Sequence, residues 1–105
     1  MATLYVGSTN IRLRITANDS DGTPVDLSAA SQIVVHLIIE SSTGAEVAKQ
    51  LAWEYETNGT DGVVVATLPN TSLVSSTRRV RWRLHALFAW GQYISDEGNA
   101  SVRRI

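Results

Sequence analysis

The 105-residue chain contains no cysteine and only two histidines, His36 and His85. Without a thiol it has no disulfide frame, no thiolate metal site and no cysteine nucleophile. Two histidines alone leave a zinc centre short of ligands, since a third donor is needed at tetrahedral geometry and the sequence places none. The formal net charge is −1, which gives no global pull toward nucleic acid or an anionic membrane. No stretch approaches the roughly 20 apolar residues of a membrane helix. The start, "MATLYVGST", has neither the basic residues nor the apolar run of a signal peptide. The expectation is a soluble chain made in a reducing cytosol, folding as one domain over residues 1–105.

Helical periodicity is absent as well. What takes its place is alternation with a period of two, the pattern of strands with one face on a core. In "NIRLRITA" (10–17), Ile11, Leu13, Ile15 and Ala17 oppose Arg12, Arg14 and Thr16. "QIVVHLIIE" (32–40) is apolar on both faces and β-branched, so it reads as a central strand. "VAKQLAWEY" (47–55) sets Val47, Leu51, Trp53 and Tyr55 on one side, interrupted by Lys49. "VVVATL" (63–68) is another strand. "RRVRWRLHALF" (78–88) alternates most regularly, with Val80, Trp82, Leu84, Ala86 and Phe88 against Arg79, Arg81, Arg83 and His85. Shorter runs lie at 3–6, 92–95 and the C-terminus. Turn clusters separate them: "NDSDG", "SSTG", "NGTDG", "WG" and "DEGN". The predicted fold is all-β, an antiparallel Ig-like β-sandwich of seven or eight short strands, with a small barrel as the other arrangement.

"DGTPVDLSAAS" (21–31) is too polar for core and too patterned for a linker. Pro24 fixes its own backbone and holds Thr23 extended. Val25 and Leu27 flank Asp26 at alternating spacing, and Asp26 or Ser28 is placed to cap one short helical turn. The segment is predicted to cross over and plug one end of the core. "PNTSLVSS" (69–76) is its counterpart, with Leu73 and Val74 as the plug.

That crossover, followed by "IVVHLII" and "STGAEV", resembles a small β-sandwich domain of tailed-bacteriophage virion proteins. The N-terminal domain of phage baseplate upper proteins is the best-described relative. "TDGVVVATL" (60–68) and "GNASVRRI" (98–105) match later strands of the same pattern, so the resemblance covers nearly the whole chain. Two features depart from it. "STRRVRW" stands where the family often has G-x-Y, and "AWG" replaces an acidic turn. The resemblance implies an Ig-like virion component of the baseplate, tail, tail fibre or capsid surface, made in the host cytoplasm and present in several copies.

Catalytic signals are missing. There is no G-x-S-x-G elbow and no phosphate-binding glycine loop. The turn carboxylates are expected to bond nearby amides rather than gather calcium. Asn18, Asn58, Asn70 and Asn99 begin N-x-[ST] sequons, which read as asparagines suited to turns. The expectation is no enzyme, no cofactor and no metal.

Binding is the remaining class. Arg79, Arg81 and Arg83 project from one strand face at intervals of about 6.5–7 Å. Three readings compete for this row. It is a solvated face balanced by Glu40, Glu54 and Glu56; a docking surface, since arginine forks pair carboxylates across interfaces; or a nucleic-acid stripe, which the overall charge disfavours. Outer apolar neighbours Val34 and Ile38 favour docking. Trp90, in "FAWGQY", falls at a hairpin tip with no core nearby, and exposed tryptophan is a favoured anchor. Trp53 and Trp82 are expected in the core. The partner-binding set is therefore Arg79, Arg81, Arg83 and Trp90, acting on other virion proteins or a second copy, with no nucleic acid and no membrane. The alternative is a carbohydrate-binding module using Trp90 and Tyr93 as a stacking platform for host glycan.

Overall fold

The computed structural model describes residues 2–5, 11–69, 73, 76–95 and 97–103. Each alternating run forms a strand: β1 (Ala2–Tyr5), β2 (Arg12–Thr16), β3 (Gln32–Ser41), β4 (Glu46–Tyr55), β5 (Val63–Thr67), β6 (Thr77–Phe88), β7 (Gly91–Ile94) and β8 (Gly98–Arg103). The one helical element described is a single 3-10 turn at Leu27–Ala29. The strands join in the order β1-β8-β6-β3-β4-β5-β2, with β7 also on β6. The path curls because two long strands change neighbours along their length. β4 pairs with β3 through Leu51 and with β5 from Ala52 onward. β6 pairs with β8 through Arg79–Trp82 and with β7 through His85–Phe88.

The purely antiparallel arrangement expected from the sequence is corrected at one edge. β1 runs parallel to β8, in register from Ala2↔Ala100 to Tyr5↔Arg103. Every other strand pair is antiparallel. Alternation dictates which residues face the core but carries no information on strand direction. Nearly the whole chain separates β1 from β8, so no hairpin imposes an antiparallel pairing on them.

The inner face buries Leu13, Ile15, Val35, Leu37, Leu51, Val64, Ala66, Val80, Leu84, Ala86 and Phe88. β3 lies between β4 and β6, the central place that its two apolar faces predict. Trp53 and Trp82 pack against this core but are only half-buried. Trp53 donates from Nε1 to the Ile33 carbonyl at 3.1 Å, which satisfies its one polar atom without full burial. Val47 departs further from expectation at 54% exposure.

The crossover forms as its residues dictate. Asp26 caps the 3-10 turn, its carboxylate accepting from the Ser28 N–H at 3.0 Å. Leu27 is completely buried, which contributes about 2 kcal/mol of hydrophobic stabilisation. Its N–H donates to the Gly59 carbonyl at 2.8 Å, and the Val25 N–H donates to Ala17 at 2.9 Å. Leu73 is buried too; Val74 lies outside the described residues.

Candidate functional site

The pairing of β3 with β6 builds the outer face. It sets Glu40 opposite Arg79, Ile38 opposite Arg81, His36 opposite Arg83 and Val34 opposite His85. Directly opposed residues share a sheet face, so all eight side chains point away from the core. Arg79, Arg81 and Arg83 therefore form one row, flanked by the outer apolar positions named from sequence.

The row is neutralised within the chain. Arg79 Nη2 donates to Glu40 Oε2 at 2.7 Å, and Arg78 lies 3.9 Å from the same carboxylate. The Glu40 carboxyl is held below its usual range, mainly by the hydrogen bond from Arg79, and the Arg79 guanidinium is correspondingly raised. Arg81 donates to Glu46 and approaches Glu97 at 3.6 Å. Arg83 reaches Glu97 at 3.4 Å. The Nε atoms of all three arginines are buried without a hydrogen-bond partner.

Glu54 and Glu56, two of the carboxylates expected to balance this row, serve other arginines. Glu54 accepts from Arg12, and Glu56 accepts from Arg14 Nε at 2.5 Å and Nη2 at 3.2 Å. Those pairs reach from β2 across β5 to Glu54 on β4 and to Glu56 directly after it. Glu46 and Glu97 stand in for them on the row. Glu46 carried a readable signal: the "SSTG" turn closes a hairpin that places it opposite Glu40, one row from Arg81. Glu97 carried none, because it lies outside any strand.

Beside the row, His36 and His85 meet edge to face, their ring centroids 4.5 Å apart with a 72° interplanar angle. The His85 imidazole titrates below its ordinary value, first because burial disfavours its charged form and then because His36 and Arg83 repel it. The two rings, Arg81 and Arg83, and the apolar Ile38 and Ala48 line a depression of about 210 Å³. Glu97 also borders it. Among the described residues, no group of three or more His, Cys, Asp or Glu side chains is arranged to hold a metal ion.

Trp90 stands apart from this face. Phe88 pairs with Gly91, leaving Ala89 and Trp90 as the two-residue hairpin tip. The Trp90 ring is 71% exposed, yet it stacks on Phe88 with centroids 4.9 Å apart and 11° between planes. It thus covers the end of the core with one ring face and shows the other to solvent. Arg83 and Phe88 are five residues apart on β6, about 17 Å at strand rise. The structure brings the three arginines together and leaves Trp90 separate from them. Leu87 and Ile94, both nearly half exposed, share the outer face with His85 between these two features.

Tyr93 is committed elsewhere. Its hydroxyl accepts from the Asn18 N–H at 3.1 Å and donates to the Asn18 carbonyl at 2.8 Å. Turn carboxylates bond amides as anticipated, with Asp19 accepting from the N–H of Asp21 and Thr23. Asn58 accepts from Thr60 in its own turn. Asn99 is half-buried on β8 opposite Arg81, and Asn70 lies outside the described residues.

No protein-family profile matches the chain, and no curated protein matches it in sequence.

Proposed function

We propose that this chain is a non-enzymatic docking domain of a tailed-bacteriophage virion, an Ig-like β-sandwich attached to tail, baseplate, fibre or capsid proteins. The sandwich reading draws support from β4, whose two halves pair with different strands and so divide the sheet into two portions. The virion reading rests on the resemblance of the D-G-x-P-V-D-L-S crossover, whose plug residue Leu27 is fully buried. Docking is carried by one observation, the 71% exposure of Trp90 at a hairpin tip where Phe88 holds its ring in place. A pre-ordered aromatic loses little entropy on burial and is the side chain most favoured as an interface anchor. Arg79, Arg81 and Arg83 supply a second contact surface at the other end of β6.

Cryo-electron microscopy of the assembled particle tests this reading. The expected result is several copies of the chain, each with Trp90 buried against a neighbouring virion protein. Absence of the chain from the particle, or a Trp90 facing open solvent in every copy, overturns it. The glycan-platform alternative is weakened by Tyr93, whose hydroxyl is tied to Asn18. A glycan-array signal that disappears in Trp90→Ala would restore it.

A further inference from the structure

The depression beside the arginine row has an unusual charge balance. Arg81 and Arg83 face two carboxylates, Glu46 and Glu97, so the guanidiniums are matched within the chain. His36 and His85 are the charge-variable groups. Protonating either adds a positive charge beside the other ring and beside Arg83, with centroids only 4.5 Å apart in the ring pair. No other acid among the described residues borders the depression: Glu40 is engaged by Arg79, β4 contributes Ala48, and β7 places Ile94 opposite His85. An incoming anion would relieve the repulsion that a proton creates.

We infer that this depression receives a single side-chain carboxylate of a partner protein, taken up together with a proton on His36 or His85. The inference deepens the docking reading and rests on it only for the partner's identity. Size and lining favour an aspartate or glutamate. About 210 Å³ holds a carboxylate and its short methylene stem, and Ile38 and Ala48 offer that stem apolar contact. Arg81 and Arg83 already bind carboxylates in this chain, through a fork whose geometry matches that group. A nucleic-acid backbone fits poorly, because Glu40, Glu46 and Glu97 flank the row and repel a polyanion.

Glutarate is the probe, and the isolated chain is the sample. With only two histidines, His36→Gln and His85→Gln assign both imidazole signals by NMR. Glutarate is expected to move both signals saturably and raise their titration midpoints. Its affinity should fall about tenfold or more between about pH 6 and about pH 8. Arg83→Gln should abolish the effect. If that variant fails to fold, Glu97→Gln gives the second check, because removing the competing internal carboxylate should strengthen glutarate binding. Signals unmoved by glutarate, affinity independent of pH, weaker binding in Glu97→Gln, or inorganic phosphate binding tighter than glutarate would each overturn the inference. Glutarate binding by a chain that is absent from the particle would sink the virion reading alone. Particle docking through Trp90 with imidazoles silent to glutarate would sink only the carboxylate site.

Discussion

Gly62 occupies a point where the chain has no room for a side chain. Its φ is +74°, and an added Cβ would sit 2.5 Å from the Ala17 carbonyl and 2.9 Å from that of Val25. Both atoms are backbone, and the Ala17 N–H already donates to the Gly62 carbonyl at 2.7 Å, so the crossover cannot yield without losing hydrogen bonds. Gly62→Ala is expected to cost at least about 2 kcal/mol, read as a lower urea midpoint with an unchanged m-value. His85 carries a different kind of penalty. Its folded-state value lies below the ordinary 6.5, so the unfolded chain binds a proton first as pH falls. The stability tied to neutral His85 is thus fully present above 6.5 and is lost progressively below it. Thermal midpoints should drop as the pH falls from about 6.5 to about 5, and the drop should be smaller in His85→Gln.

Among the elements, β6 carries the strongest sequence signal and the greatest structural consequence. Its alternation places Val80, Leu84, Ala86 and Phe88 inside and the arginine row outside, and the register with β3 follows that division. A slip of one residue would drive guanidiniums into the core. The pairing of β6 with β8 is secured by shape as well. A Cβ at Gly98 would fall 2.2 Å from Trp82 Nε1, so the glycine lets the indole lie against β8. The short 3-10 turn depends on its cap. Asp26→Ala should cost about 1 kcal/mol in chemical denaturation, whereas Asp26→Asn, which keeps an acceptor, should cost less.

At the scale of the whole molecule, core and surface are expected to respond separately. Trp90 stacks on Phe88 but leaves most of its area in solvent. Trp90→Ala should therefore change stability by no more than about 1 kcal/mol, while under the proposed docking role it should abolish association with the partner. Charge reversal of the arginine row is a poorer probe of docking. A glutamate at position 81 would face Glu46 and Glu97 and unsettle the sheet face before any partner is involved.

Strand positions, the core and the crossover plug were legible in the amino-acid order because each depends on spacing within a single segment. Alternation alone assigns Leu13 and Ile15 to the inside and Arg12 and Arg14 to the outside, whatever their neighbours prove to be. Tertiary structure alone decided what lies beside what. β1 follows β8 in parallel because direction leaves no mark on alternation. Glu54 and Glu56 left the arginine row because β5 stands between β2 and β4, bringing Arg12 and Arg14 within their reach. Glu97 joined the row from outside any strand, and His36 met His85 through the register of β3 with β6. Each of these is a contact between residues distant in the chain, set by the closing of the sheet rather than by any local rule.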